Sequence, residues 1–481
     1  MRSARVVAVL ALALSAPSAR PAAAAEPPRP ALSAAVKEYV AFEAPVVALE
    51  HVNVVDGTGA PAKADQTIVI EGDVIRAIGP SATTKAPAGA KVVDLSGRSV
   101  LPGLVGMHDH MFFPSGGGAM YHEMGYSFPR LYLAAGVTTM RTTGSLEPYT
   151  DLEIKKRIDA GLAPGPHMDV TGPYLEGEGA FTPQMHQLKN AADAKETVNF
   201  WADQGVTSWK AYMNISRAEL KAAIDAAHAR GMKVTGHLCS IGFREAAELG
   251  IDDLEHGLVV DTELVAGKKP DVCPDGATAD LAKRDVKDPG IQETIKTLVA
   301  RKVAVTSTLP VFELMVRGRP TAEPRVLASM SADAKIAFLT TRTRVTENPK
   351  SDWPALLKLE MDFEREFFKA GGTLLTGLDP TGIGGVVAGY GDQRGVELLV
   401  EAGLTPLEAI KVATANGAAF MGKSASFGAL APGLRADVVV VKGDPSKTIA
   451  DIENVELVFK DGVAFDAAKL VDSAKGLVGL R

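Results

Sequence analysis

Leu101-Pro102-Gly103-Leu104-Val105-Gly106-Met107-His108-Asp109-His110 decides how the rest of this chain is read. A short apolar run ends in two histidines separated by one residue. On a strand, side chains two apart point to the same face. His108 and His110 can therefore reach a common ion at about 2.0–2.1 Å, the usual Zn–N distance. Alone, the H-x-H pattern is weak, because neighbouring histidines are common without a metal. Its weight comes from what stands at the ends of later apolar runs.

Working outward, residues 104–108, 137–142, 167–171, 208–212, 233–237, 253–256, 303–307 and 373–378 read as eight short strands. Helix-forming stretches separate several of them, such as 217–230 (RAELKAAIDAAHAR) and 241–249. Such alternation predicts an α/β fold, a (β/α)8 TIM barrel over residues 101–420. Stretches 261–302 and 309–370 are longer than a barrel connection requires. They are expected to be helical insertions over the active-site face. Before the barrel, 46–55, 66–71, 74–78, 91–94 and 98–101 read as strands, broken by Asp56-Gly57-Thr58-Gly59 and Gly72-Asp73. After it, 436–442 (ADVVVVK) and 455–460 return to strand texture. Residues 26–100 and 421–481 thus predict a small β-sandwich built from both chain ends.

In a (β/α)8 barrel the C-terminal strand ends share one rim, and active sites lie there. The fifth run ends in His237, the sixth in His256, and the eighth is followed by Asp379, while the fourth carries Lys210. With His108 and His110, six metal-type side chains would converge on one cavity. A single strand-end histidine is usually an ordinary polar residue; six such residues at the ends of five strands are hard to explain as scatter.

These residues carry a resemblance. The chain resembles the amidohydrolase superfamily, and within it exported imidazolonepropionase-like and prolidase-like members. Leu101 to His110 is similar to the first metal motif, and Gly136-Val137-Thr138-Thr139 to the second strand. EAGLTPLEAIKVATANGAAF (401–420) and Pro432-Gly433-Leu434-Arg435-Ala436-Asp437 match its closing helices and its return to the β domain. One departure stands out: Met140-Arg141-Thr142-Thr143 lacks the acidic residue expected after the arginine, which leaves the metal set intact and puts a role for the second strand in question. The resemblance implies two divalent metal ions. His108, His110 and Asp379 would hold one, His237 and His256 the other, and Lys210 would bridge them as a CO2-derived carbamate. Zinc suits nitrogen-rich ligation best, with manganese and iron as alternatives. Asp379 would be the general base and then the general acid. The implied reaction is hydrolysis of an amide C–N bond, in a dipeptide or N-acyl amino acid. The alternative is a mononuclear cyclic-amide hydrolase or deaminase, in which the bridging lysine is missing. A metal-free scaffold is disfavoured because every ligand position is filled.

Four further residues fall in or near rim loops: Tyr212, His122, His186 and Arg394. Tyr212 could donate to an oxyanion, and Arg394 could hold a substrate carboxylate by its two-pronged guanidinium. For each, an ordinary packing or surface role is the competing reading.

Composition sets the outer limits. The 481 residues carry 51 Lys+Arg against 58 Asp+Glu, a net charge of −7. No basic excess exists to neutralise phosphates, which argues against nucleic acid as partner. Hydrophobic residues at 46% and charged at 23% are globular values, and a small-molecule substrate is expected; a homo-oligomer stays open. Residues 1–25, MRSARVVAVLALALSAPSARPAAAA, show early arginines, a short apolar run and small residues. That is a secretory signal pattern with a cut after Ala25, too short to span a bilayer. An exported protein, periplasmic or extracellular, follows, with an uncleaved anchor as the alternative. Cys239 and Cys273 would then either form one disulfide or remain two buried thiols.

Overall fold

In a computed structural model, residues 29–115 and 120–480 are described. The signal sequence expected over 1–25 lies outside the described residues.

Valine-rich stretches from distant parts of the chain pair into one sheet of nine strands. Its order is Val40–Phe42, Val463–Asp466, Val455–Lys460, Val438–Lys442, Arg98–Pro102, Val46–Val54, Lys63–Glu71 and Val74–Pro80, with Lys91–Asp94 paired to Val46–Val54. Val438–Lys442 lies antiparallel to Arg98–Pro102, which ties the C-terminal segment to the N-terminal one. Val47, Leu49, Ile68, Ile70, Val100, Val438, Val440 and Phe459 form its buried core. The two chain ends therefore do build one β unit, as a continuous hydrogen-bonded sheet.

Between these ends run eight parallel strands in two ladders. Leu104–Gly106, Val137–Arg141 and His167–Asp169 form the first. Ser208–Ala211, Lys233–Gly236, Asp253–Glu255, Ala304–Ser307 and Leu374–Thr376 form the second. Backbone bonds connect the ladders at both edges. Thr207 N donates to Val170 O (2.9 Å) and Gly172 N to Ser208 O (3.0 Å). Met107 N donates to Thr376 O (2.9 Å) and Leu378 N to His108 O (3.1 Å).

Every one of the eight expected strands is present, and each is shorter than expected. The missing residues are mostly the C-terminal ones, because there the chain turns to deliver side chains. His256 and Asp379 even take left-handed conformations, at φ 68° and 50°. Such backbone is costly for residues other than glycine, and it concentrates at functional sites.

The expected insertions need correction. Pro289–Arg301 and Trp353–Lys369 fall inside the stretches assigned as insertions. Each instead leads into the next parallel strand and buries its apolar side, through Ile291, Ile295 and Leu298 in one and Leu356, Phe363 and Phe367 in the other. They are connecting helices, so the true additions are smaller. An element absent from the sequence reading is a hairpin, Phe112–Ser115 with Met120–Glu123, directly after His110. Cys239 and Cys273 form a disulfide, Cα–Cα 4.8 Å, which pins the segment before the seventh strand to the end of the fifth. Among the described residues no helix is long and apolar enough to cross a membrane.

Candidate metal centre

Just past the first parallel strand, His108 and His110 are fully buried. His108 Nδ1 lies 2.7 Å from Glu255 Oε2. A carboxylate only accepts, so Nδ1 carries the proton and Nε2 presents a lone pair. His110 Nδ1 lies 3.1 Å from the Gly144 carbonyl and 3.2 Å from that of Thr142, which fixes the same tautomer. Both Nε2 atoms approach Asp379: His110 Nε2 is 3.6 Å from Oδ1 and His108 Nε2 4.0 Å from Oδ2. His256 Nδ1 is 3.8 Å from the same Oδ2 and 2.8 Å from Thr308 Oγ1. The rings of His108 and His237 each lie 4.4 Å from that of His256. Lys210 Nζ is 3.1 Å from His108 Nε2. The six residues expected to meet do meet.

The donor set suits a cation. Ligand atoms of His108, His110 and Asp379 lie within 4.8 Å of one another, and Asp379 Oδ1, though buried, accepts no hydrogen bond. A buried polar atom left without a partner is costly, and a metal ion would satisfy it. Burial pushes all four histidines down, His237 to about 3, with the Lys210 charge adding to the effect. They are therefore neutral imidazoles, the form that binds metal. Burial likewise lowers Lys210 to about 8, against the pull of Glu255 and Asp379. Asp379 is raised by burial to about 6, with Lys210 opposing the rise.

Supporting residues were partly missed by sequence reasoning. Glu255, which orients His108, also faces Arg141: Nη1 to Oε1 is 3.4 Å. Arg141 fills the space between strands, donating to Thr235 Oγ1 (2.8 Å) and Ser208 Oγ (3.3 Å). The second strand's role, left in question by its sequence, is to supply the counter-charge to the carboxylate behind His108. Its signal was visible as a charged residue inside an apolar run. Behind His256, Glu360 Oε2 accepts from Val259 N (2.8 Å), and a Cβ on Gly257 would meet Glu360 Oε1 at 1.8 Å. Glycine at φ 68° lets that turn close against the carboxyl.

A cleft of ≈ 380 Å³ opens onto this group. His110, Lys210, His237, His256 and Asp379 line it, with Phe112, Tyr121, Leu146, Tyr174, Phe181, Met185, Tyr212 and Thr381. Of the four expected substrate contacts, Tyr212 alone is among these residues. His122 sits opposite Phe113 in the hairpin; Tyr121 beside it takes the face toward the cleft, and alternation sends His122 to the other. His186 is half-exposed, 3.6 Å from Asp193, while its neighbour Met185 turns inward. Arg394 is engaged by carboxylates, Nη2 and Nε lying 2.8 and 3.0 Å from Glu313 and Nη1 2.6 Å from Glu397. It lines a separate cleft with Pro310, Leu314 and Tyr390. These three assignments are therefore corrected.

Residues 99–464 match the amidohydrolase family. The chain belongs to this family. Among curated amidohydrolase relatives, an imidazolonepropionase of Arthrobacter sp. (strain FB24) is 30% identical over 134 residues, 28% of this chain and 32% of that one. An enamidase of Eubacterium barkeri is 36% identical over 86 residues, 18% and 22% of the two chains. This chain thus matches about a third or less of those relatives' length. Among solved structures, a putative prolidase from Bifidobacterium longum has a TM-score of 0.65 at 25% identity, covering 89% of this chain and 98% of that one. Ochratoxinase of A. niger has a TM-score of 0.64 at 19% identity, covering 91% and 100%, a likeness of fold.

Proposed function

We propose that this amidohydrolase-family protein is a metal-dependent hydrolase of C–N bonds that works with two divalent ions. In this reading His108, His110 and Asp379 hold one ion, His237 and His256 the other, and Lys210 bridges them as a carbamate. The observation that carries it is the convergence of His108, His110, Lys210 and His256, all buried, and the half-buried His237 with Asp379, whose buried Oδ1 has no hydrogen-bond partner. Zinc is the favoured ion, because neutral imidazoles dominate the set.

When bound, such ions supply Lewis acidity toward a carbonyl and lower the pKa of water. The chain's own groups do the rest. Lys210, lowered to about 8, is about one-tenth free amine at pH 7. That amine attacks CO2, forming an N–C bond as a C=O π pair moves onto oxygen, and releases one proton to solvent; with the proton already lost from the ammonium, two protons leave in all and a buried cation becomes an anion. Asp379, held beside the proposed ions, takes a proton from the attacking water and delivers it to the leaving nitrogen. Burial also holds the Tyr212 phenol well above its usual value, so it stays protonated and donates to the developing oxyanion.

The same reading takes the eight parallel strands as a closed (β/α)8 barrel over 101–420, with a β domain from 26–100 and 421–481. The backbone bonds at both ladder edges support it. Export with cleavage after Ala25 belongs to it too, and a Cys239–Cys273 disulfide fits an oxidising compartment. The amide bond of a dipeptide or N-acyl amino acid is kept as target, and Arg394, which lines a separate cleft, is dropped as the group that holds a substrate carboxylate.

The test is a panel of dipeptides, N-acyl amino acids, N-acyl amines and lactams offered to zinc-loaded protein, with and without chelator. Chelator-sensitive release of an amine is expected. Turnover that survives complete metal removal would overturn the reading.

A further inference from the structure

The cleft above the six donors has walls of an unusual kind. Phe112, Tyr121, Phe181, Tyr212 and Tyr174 form an unbroken chain of ring contacts. Centroids are 5.2 Å apart for Phe112–Tyr121, 6.1 Å for Tyr121–Phe181, 6.0 Å for Phe181–Tyr212 and 4.8 Å for Tyr212–Tyr174. The chain meets proposed metal ligands at three points: Phe112, one end, stacks on His110 at 4.3 Å, Tyr174, the other end, lies 6.4 Å from His110, and Tyr212 lies 4.9 Å from His237. Leu146, Met185 and Thr381 complete the lining.

These rings come from separate segments, and the structure holds the segments together. Phe112 and Tyr121 belong to the hairpin after His110, whereas Tyr174, Phe181 and Met185 belong to the long connection after the third parallel strand. Gln184 buckles the two: its Oε1 accepts from Tyr121 N (3.0 Å) and its Nε2 donates to Tyr121 O (3.1 Å). Beneath, Gly144 takes φ 89°, and a Cβ there would meet the Tyr174 ring at 2.5 Å. The backbone has been brought against that ring as closely as glycine permits. Phe181 stands at 49% exposure beside the cleft. A large apolar ring so exposed contributes little to the core, and its place next to the other rings is that of a lip.

Pre-positioned rings favour a flat aromatic partner, because edge-to-face and offset contacts add to simple burial of area. Methionine at such a wall adapts to ring edges. Meanwhile Arg394, the group expected to hold a carboxylate, is engaged by Glu313 and Glu397 outside the cleft.

We propose that the cleft walls are a ring-binding subsite, and that the substrates are small amides with an aromatic ring beside the scissile bond and no need of a free carboxylate. The bond cleaved rests on the hydrolase reading above; the ring subsite does not.

The probes are matched pairs in which a methylene insulates the amide from the ring. N-phenylacetylglycinamide is compared with N-cyclohexylacetylglycinamide for the acyl side, and N-benzylacetamide with N-(cyclohexylmethyl)acetamide for the amine side. N-phenylacetylglycine adds a carboxylate to the first. Binding to zinc-loaded protein is measured by calorimetry and cleavage by amine release. In at least one pair the phenyl compound should bind about two- to tenfold more tightly than its cyclohexyl partner, with the same preference in kcat/KM. The carboxylate should add nothing. In Phe181→Ala, and independently in Gln184→Ala, the preference ratio should fall toward one while far-UV circular dichroism stays unchanged. Equal affinity for phenyl and cyclohexyl probes on both sides would overturn the proposal, as would a large gain from the carboxylate. A ring preference in binding with no cleavage of any probe would leave the subsite standing and fail the hydrolase reading. Cleavage without ring preference would do the reverse.

Discussion

Replacing Glu255 by leucine should separate what this residue does for the fold from what it does for the metal centre. Glu255 is fully buried, as is Arg141, whose Nη1 is 3.4 Å away, and the other carboxylate oxygen is 2.7 Å from His108 Nδ1. Glu255→Leu leaves the Arg141 guanidinium buried without its counter-charge, a change that costs on the order of 3–5 kcal/mol. It also removes the acceptor that fixes the His108 tautomer, which typically costs about 10–100-fold in metal affinity. The double variant Arg141→Met/Glu255→Leu deletes both charges. It should recover most of the stability and retain a deficit of about 1–3 kcal/mol, from the His108 N–H left without an acceptor. Its metal affinity should stay as low as that of the single variant. The assays are urea unfolding of the metal-free proteins and zinc competition against a chromophoric chelator. A Glu255→Leu protein with undiminished zinc affinity would refute the orienting role. A double variant as unstable as the single one would refute the counter-charge argument.

Asp379→Asn should fold and keep the cleft, yet lose about 10²–10⁴-fold in kcat, since an amide cannot relay the proton; near-normal turnover would remove Asp379 from the chemistry. Asp261 is buried and raised to about 7 by burial, with backbone N–H groups of Phe243 and Glu263 opposing the shift. Its folded value lies above the unfolded one, so its contribution is complete below about pH 4 and is lost as pH climbs through 7. Asp261→Asn keeps the acceptor without the proton. Its Tm should therefore gain on the parent between pH 4.5 and 7.5, and parallel Tm–pH curves for the two proteins would contradict this. Reducing Cys239–Cys273, which closes a loop of 34 residues, should lower unfolding free energy by roughly 3–4 kcal/mol on the chain-entropy account. Identical denaturation midpoints with and without reductant would show that the loop is held by other contacts.

The parts of this molecule that sequence could show are those with short-range signals. Apolar runs of strand length mark the eight parallel strands, and a histidine, lysine or aspartate at a run's end marks the rim. The six donors were legible because each sits at such an end. Arg394 misled because only 15 residues separate it from Asp379. Its true partners are Glu397, one helical turn on, and Glu313, which is 81 residues away and invisible to local pattern. His186 was one residue from the side chain that reaches the cleft, Met185, because a loop has no period from which to read direction. Tyr121, Tyr174 and Phe181 lie in the hairpin and the long connection, whose meeting depends on the Gln184 buckle, a contact spanning 63 residues. Glu255 was hidden by its neighbour: beside a ligand-type histidine, the carboxylate that fixes the tautomer looks like an ordinary strand residue.

The account's central claim is a pair of ions bridged by a modified Lys210, and metal counting joined to carbon NMR tests it most directly. Protein purified and zinc-loaded under ¹³C-labelled CO2 should contain two equivalents of metal per chain and one carbamate carbon resonance. In Lys210→Ala both should change together, with the resonance gone and the metal content below two. Added acetate, but not chloride, should restore part of the metal content and activity by lending a carboxylate to the vacated space. One metal per chain with no carbamate signal in the unmodified protein, or a Lys210→Ala protein that keeps two metals and turns over normally without added acid, would contradict the bridge.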